Sequence, residues 1–324
     1  MSLAVGVIGT GVMGAEHARL LRCAISGAHL AAVCDADESR ATAAAQGAAV
    51  FTDAHALIAS DKVQAVVIAS PDATHADYAL SCLAAGKPVL CEKPIAATAA
   101  EGLAIVQAEV ALGRQLVTVG FMRRFDPAYN DMRRARIAGS IGDAVLLHNV
   151  HRNVSAPDWF TGAMAVTNSL VHEIDISRWL LDAEMITAQV ISAPGGDPML
   201  VTMQTETGAI VSTEVYMNAA YGYHVHAQLV GRKGTVEMAA PTRMLTNLAA
   251  AQSFTFPANW VPRFTEAYCL QMQAWVDASK IGTTTGASAW DGFVTTSIAE
   301  QIVQGMASAN PIPLSFPQRP ALYA

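Results

Sequence analysis

The chain has 324 residues, of which 52% are hydrophobic and only 15% charged, and its formal net charge is −7. That length is too great for one ordinary core and predicts two domains, with enough apolar surface left for an oligomer interface. The acidic balance argues against nucleic acid as a partner.

In chain order, an apolar run from Ala4 to Ile8 predicts a buried strand that empties into Gly9-Thr10-Gly11-Val12-Met13-Gly14, and a helix-like stretch follows from Ala15 to Ala24. In a dinucleotide-binding βαβ unit these glycines have separate jobs: Gly9 for the tight turn, Gly11 for backbone approach to a pyrophosphate, Gly14 for close helix–strand packing. The helix N-terminus offers unpaired N–H groups and a positive dipole end to the phosphates. A second apolar run, His29 to Cys34, ends in Asp35. An acidic residue there accepts hydrogen bonds from a ribose and repels a 2′-phosphate. No arginine follows Asp35 directly, and Asp37 and Glu38 add negative charge, so the expected cofactor is NAD rather than NADP.

Strands and helices alternate to about residue 120, the pattern of a parallel sheet covered on both faces. Val63–Ile68 predicts a strand ending at Ala69-Ser70-Pro71. The next helix, about Thr74 to Ala85, stops at Gly86 and is sealed by Pro88. Pro88–Cys91 predicts a strand that delivers Glu92-Lys93-Pro94, and Thr98 with Glu101 forms a capping-box pattern before a further helix. Leu116–Gly120 closes this domain. Ligands bind at strand ends in open α/β sheets, so Ser70, Pro71 and Lys93 fall on the productive edge.

Beyond Arg136, period-two alternation at 144–151, 199–204, 209–217 and 223–231 predicts an antiparallel sheet. One helix interrupts it near 168–181, and helices near 263–281 and 288–307 finish it. Pro311–Leu314 is expected to run extended across the surface. If residues 167–181 are helical, Asn168, His172, Asp175 and Trp179 share one face, a polar stripe with an imidazole at its centre that suits a cleft wall. Glu173 and Asp175 lack further histidines at ligand spacing, so no metal site is expected. Cys23, Cys34, Cys82, Cys91 and Cys269 are odd in number, scattered and never C-x-x-C, and they predict free thiols of a reducing, cytoplasmic compartment. No run approaches about 18 consecutive strongly apolar residues, and the N-terminus lacks the basic n-region of a signal peptide, so neither membrane insertion nor export is expected.

Taken together, these motifs resemble the glucose-fructose oxidoreductase and inositol 2-dehydrogenase family. The resemblance rests on the glycine turn, Asp35, Ala69-Ser70-Pro71-Asp72-Ala73-Thr74-His75, Glu92-Lys93-Pro94 and His172-Glu173-Ile174-Asp175. It is closest to the inositol dehydrogenase branch through Gly120–Asp126, Val150–Asn153, Tyr221-Gly222-Tyr223 and Ala289–Gly292. It implies an α/β Rossmann domain with a parallel doubly wound sheet (residues 1–121), then an α+β domain with a large open-faced antiparallel sheet (residues 122–324). Homotetramers are common in the family.

The resemblance implies NAD contacts from Gly9, Thr10, Gly11, Val12, Met13, Gly14, Asp35, Ala36, Ser70, Pro71, His75, Glu92, Lys93, Met122 and Arg123. It implies substrate contacts from Lys93, His151, Asn153, Asn168, Ser169, His172, Asp175 and Tyr223. Lys93 and His172 match the catalytic pair: a histidine takes the hydroxyl proton, and an ammonium stabilises charge on the oxygen. Many inositol dehydrogenases carry aspartate where this chain has Asn168, which cannot hold an imidazolium by charge; Asp175, one turn along, partly fills that role. The implied substrate is a neutral cyclic polyol such as myo- or scyllo-inositol, with Arg123 and Arg124 standing apart from the otherwise neutral set. Two other readings are a glucose-like aldose 1-dehydrogenase and a non-catalytic NAD- or sugar-sensing protein; relatives of the latter kind tend to lose the lysine or histidine, both present here.

Overall fold

The computed structural model describes residues 2–239 and 244–324. The chain forms two compact units. The first comprises Met1–Met122, Glu266–Ser297 and Pro317–Ala324, and the second Arg123–Thr265 and Ile298–Phe316. The division thus differs from the expected single crossing at residue 121, because late segments return to the first unit.

The first unit opens with strand β1 (Leu3–Ile8) and helix α1 (Val12–Cys23). They are followed by β2 (Ala28–Cys34), α2 (Glu38–Ala45), β3 (Ala49–Phe51), α3 (Ala54–Ala59) and β4 (Ala65–Ile68). Then come α4 (His75–Ala84), β5 (Val89–Cys91), α5 (Ala99–Leu112) and β6 (Val117–Val119). The strands lie in the order β6-β5-β4-β1-β2-β3, all parallel, so the order reverses between β1 and β4. That reversal opens the crevice where doubly wound sheets bind ligands. The strand residues are fully buried in β4 and β5, as a sheet covered on both faces requires.

The local chemistry follows the sequence closely. Asp37 caps α2 through the Ser39 and Arg40 N–H groups, and Thr98 and Glu101 close a capping box on α5. Helix α5 stops at Gly113, whose φ of +68° is left-handed. Strand Ala287–Ser288 adds to β6 in antiparallel fashion, and Gly292 packs so closely that a Cβ would meet Ile95 and Val119 side chains at 2.9 Å. Asp291 accepts from the Ser288 N–H and hydroxyl, both at 2.9 Å. The last turn is tied in by Tyr323, whose hydroxyl donates at 2.5 Å to the fully buried Glu109. Glu109 also accepts from the Leu116 and Val117 N–H groups.

The second unit contains α6 (Pro127–Ile137), β7 (Ala144–Arg152), the short α7 (Gly162–Met164) and α8 (Val171–Leu181). Strands β8 (Met185–Ser192), β9 (Met199–Thr205), β10 (Ile210–Tyr216), β11 (His224–Gly231) and β12 (Gly234–Glu237) follow. They form a large sheet in the order β12-β11-β7-β10-β9-β8, with Ile312–Pro313 on the outer edge of β8. The expected extended tail is therefore an edge strand, a position where proline is tolerated. The sheet is antiparallel except for one parallel pair, β7 with β10. Alternate residues of β10 and β11 are buried, and α8 packs on the inner face with all but Trp179 buried. The other face stays open and carries exposed Ile186, Ile191, Leu200 and Ile210.

The segment before α8 differs from the expected single helix: Ala165–Leu170 forms a π-helix. Its wider turns alter the 3.6-residue spacing between Asn168 and His172. Trp179 is covered by the Arg133 guanidinium, 4.4 Å from its ring, and serves packing between α6 and α8. No described helix is long and apolar enough to cross a membrane. Cys34, Cys82 and Cys91 are buried free thiols, whereas Cys23 is exposed and Cys269 half-buried. Burial pushes the Cys82 thiol up to about 12, which makes it unreactive.

Replacing Tyr323 with phenylalanine removes a bond to a buried carboxylate. The expected loss is about 1–3 kcal/mol of stability, read from denaturant unfolding monitored by circular dichroism.

Candidate active site

The glycine turn behaves as its spacing requires. Gly9 has φ +85°, and a Cβ there would lie 2.5 Å from the Ala69 carbonyl oxygen. At Gly14 a Cβ would sit 1.8 Å from the Gly9 carbonyl oxygen, so helix and strand touch through bare backbone. Gly11 is different: nothing lies within 4 Å of its Cβ position. That space opens beside the N-terminus of α1, which has no side-chain cap and no acidic residue in its first turn. A helix N-terminus without an acidic residue or side-chain cap suits an anion. Val12 is exposed and Met13 half-buried on the same turn.

A cavity of about 470 Å³ runs past this turn, lined by Gly9, Gly11, Asp35, Ala36, Ser70 and Pro71 among others. Asp35 is buried at the tip of β2. Its Oδ2 accepts from the Thr10 N–H at 2.8 Å and the Thr10 hydroxyl at 2.9 Å, and its Oδ1 accepts from the Asp37 N–H at 2.9 Å and Arg40 Nη2 at 2.8 Å. Burial would raise this carboxyl, but those donors outweigh it and hold Asp35 well below the usual carboxylate range. The charge balance expected from Asp37 and Glu38 alone is therefore corrected by Arg40, in the first turn of α2.

His75 is buried, 1% exposed. Its Nδ1 lies 2.7 Å from the Pro94 carbonyl and its Nε2 2.8 Å from the Ser70 carbonyl. The ring ties the end of β4 to the segment after β5, a bracing role rather than an open donor. Glu92 is also spoken for: its Oε1 bonds His17 Nε2 at 2.7 Å, a partner that sequence spacing did not suggest. Burial pushes the Glu92 carboxyl up, but His17 and the nearby Lys93 charge leave it below its ordinary value. Lys93 itself is half-buried at the strand end, next to Glu92. Met122 is buried.

In the second unit, the inner face of the sheet and α8 bring several expected residues together. His151 on β7 is 3% exposed, and its ring centre lies 6.4 Å from that of His172 and 5.8 Å from that of Tyr223. His151 Nδ1 is 3.0 Å from Glu173 Oε2 and 3.3 Å from Arg123 Nη2. The carboxylate is the closer partner, so Nδ1 donates to it and Nε2 is left to accept. Arg123 forms a fully buried ion pair with Glu173 and bonds Tyr223. It sits inside a packed cluster and not on an exposed phosphate-binding surface. Burial pushes the Glu173 carboxyl up, but Arg123 and His151 hold it below the ordinary range. Burial likewise pushes the Tyr223 phenol up to about 12, so it stays a hydroxyl donor at any working pH.

Asp175, expected to steady the histidine, grips Arg124 in a fork, with Nε–Oδ2 at 3.0 Å and Nη2–Oδ1 at 2.6 Å. Both side chains are buried, which explains why a carboxylate on an inward helix face draws the adjacent arginine. Ser169 is buried and Asn168 half-buried on the π turn. Asn153 donates to Met217 Sδ at 3.6 Å, and its buried Oδ1 has no protein partner among the described residues. Such an acceptor awaits a donor from water or ligand. Glu173 was the residue that spacing undervalued; the hint was two adjacent arginines facing two carboxylates two positions apart.

Residues 3–121 match the oxidoreductase family's NAD-binding Rossmann fold, and residues 134–314 match the oxidoreductase family's C-terminal alpha/beta domain. The chain belongs to this family of glucose-fructose oxidoreductase and inositol dehydrogenase relatives, and it is an NAD-dependent oxidoreductase. It is 48% identical to inositol 2-dehydrogenase 1 of Saccharopolyspora erythraea, covering 100% of this chain and 99% of that protein. It is 38% identical to inositol 2-dehydrogenase of Pseudomonas fluorescens, covering 100% of both. The crystal structure of myo-inositol dehydrogenase from Lactobacillus casei with NAD(H) and myo-inositol has a TM-score of 0.96 at 29% identity, with both chains fully covered.

Two substitutions in the glycine turn separate fold from binding. Gly14→Ala drives a Cβ into backbone and is expected to cost about 2 kcal/mol or more, whereas Gly11→Ala is expected to keep stability within about 1 kcal/mol while weakening NAD binding, checked by thermal melts and NAD titration. Glu173→Gln leaves the Arg123 charge buried without its counter-ion and is expected to cost about 3–5 kcal/mol in denaturant unfolding.

Proposed function

We propose that this protein oxidises a ring hydroxyl of inositol to the ketone with NAD, and that Lys93 and His172 carry the chemistry. The observation that carries the reading is the set His151, His172, Tyr223 and Asn153 on the inner face of the second unit. It presents a hydroxyl donor, imidazole nitrogens and the amide oxygen of Asn153, unpaired among the described residues, while Arg123 and Arg124 are matched by Glu173 and Asp175. Neutral, convergent polar groups of this kind suit a polyhydroxylated ring better than a carboxylate or phosphate. The inositol dehydrogenase relatives support the same substrate class.

Oxidation of a secondary alcohol needs the O–H proton removed while hydride leaves the carbon. His172 takes the proton, since an imidazole titrates near neutral pH and accepts through a ring nitrogen. Lys93 donates to the reacting oxygen and stabilises the negative charge that develops there. NAD, when bound, accepts the hydride. Gly11, the uncapped N-terminus of α1 and Asp35 hold the cofactor, with Ala36, Ser70 and Pro71 lining its bed, while His75 and Glu92 brace the strand ends. Asn168 and Ser169 on the π turn contact the ring. In the second unit, Asp175 contributes through Arg124. The open sheet face, with its exposed isoleucines, serves as the contact between copies in a homotetramer.

Lys93→Met is expected to lower kcat with inositol by about 10³-fold or more while NAD affinity stays within a few-fold. His172→Gln is expected to lower kcat by about 10²–10⁴-fold. The test is NADH formation against a panel of inositol isomers and aldoses, with NAD binding measured by calorimetry. Turnover of aldoses alone would overturn the substrate, and unchanged turnover in Lys93→Met would overturn the mechanism.

A further inference from the structure

A second cavity, of about 640 Å³, lies wholly within the second unit and exceeds the one of about 470 Å³ beside the glycine turn. Its wall is made by Arg136 from the last turn of α6, Leu181 from the end of α8, Ala144 from the start of β7, and Arg232 and Lys233 from the turn between β11 and β12. Ala144 opens the strand whose far end carries His151. At about 3.3 Å per residue the two are roughly 23 Å apart, so this cavity is separate from the substrate face.

The chain as a whole is acidic, with 20 Lys and Arg against 27 Asp and Glu. Here the balance is reversed: three cations share the wall with one carboxylate, Asp143. The Arg232 and Lys233 N–H groups donate to the Asp143 and Ile141 carbonyls at 3.0 and 2.8 Å, so the turn is held by its backbone. Both side chains are exposed, and neither makes a hydrogen bond or ion pair among the described residues. Arg136 is half-buried, with Nη1 3.5 Å from the Leu181 carbonyl and Nη2 3.7 Å from Asp182 Oδ2. Its buried Nε has no partner among the described residues. Asp182 is 73% exposed, so solvent screens its charge. Arg123, Arg124 and Arg178 of the same unit, by contrast, are each matched by a close carboxylate.

We propose that this cavity binds a small phosphorylated metabolite, whose phosphate is held by Arg136, Arg232 and Lys233. Three cations less one carboxylate leave a charge of +2, which a phosphate dianion matches and a single carboxylate does not. Guanidinium and ammonium groups on separate walls supply donors from several directions, as a tetrahedral anion requires. The volume is more than a phosphate ion fills and is that of a small-molecule pocket, so an organic portion fits beside the phosphate. Asp143 is the acceptor on that wall for its hydroxyls.

The test is calorimetric titration of the full-length protein with a hexose 6-phosphate, the parent hexose and inorganic phosphate in turn. NAD is present at saturation, so no phosphate enters the bed at the glycine turn. The ester is expected to bind once per chain, at least about tenfold more tightly than the parent hexose. Arg232→Gln combined with Lys233→Gln is expected to weaken the ester at least about tenfold. NAD affinity and melting temperature stay unchanged, because both side chains lie on an exposed turn. Arg232→Lys alone keeps part of the affinity. Added salt is expected to weaken the ester in the wild type and to change the double variant little. Absence of binding at millimolar ester overturns the proposal. Binding that the double variant retains in full also overturns it, since the ester then sits elsewhere. Inorganic phosphate bound as tightly as the ester overturns the assignment to an organic ligand.

Discussion

The second unit is built around one carboxylate. Glu173 lies on the inward face of α8 with no exposed surface, and it is answered by Arg123 from before α6 and His151 from β7. A charge in that position is tolerable only when it is paired and hydrogen-bonded. Three segments far apart in the chain must therefore meet, and their meeting fixes helix against sheet. The same pairing decides which nitrogen of His151 is free to face a ligand. Arg124 with Asp175 repeats the device two residues along, so α8 is pinned twice by the same arginine doublet. Charge here sets orientation; the packing energy comes from the apolar residues around it.

The first unit uses another kind of constraint, bare backbone. Gly14 against Gly9 brings α1 onto β1 more closely than any side chain allows, and Gly11 leaves open the space this closeness creates. Nearby loops are then stiffened by side chains with no surface of their own, His75 across Ser70 and Pro94, and His17 against Glu92. The groups meant for ligand are thus carried on a frame whose polar contacts are already internal. That separation suits a site that must hold reacting atoms to a fraction of an ångström.

Much of this was legible in the sequence because it is local. Turn chemistry at Gly9–Gly14, the capping box at Thr98 and Glu101, the stop at Gly86 and the period-two strands depend on neighbours within a few residues. What escaped depends on distance or on phase. The strand Met185–Ser192 and the parallel pairing of β7 with β10 follow from the topology of the sheet, which no window reveals. The π turn at Ala165–Leu170 changes the residues per turn ahead of α8, and the packing of Trp179 under Arg133 is a contact across 46 residues; neither is visible to a stripe drawn at 3.6-residue spacing. Arg40 lies five residues beyond Asp35 in the chain, and the first turn of α2 brings its guanidinium back to that carboxylate. The fork between Asp175 and Arg124 is likewise a contact across 51 residues of chain that helix spacing cannot reveal.

The return of Glu266–Ser297 and Pro317–Ala324 to the first unit has a consequence for how the molecule is made. A ribosome releases the nucleotide-binding sheet early, but its outer strand Ala287–Ser288 emerges only after Arg123–Thr265 of the second unit, and the tyrosine that seals Glu109 only after Ile298–Phe316. The half that begins the chain is therefore finished only after the other half has been translated. Translation order and completion order are opposed, and an incompletely synthesised chain would present an unsealed β6 edge and an unsatisfied buried acid to the quality-control machinery.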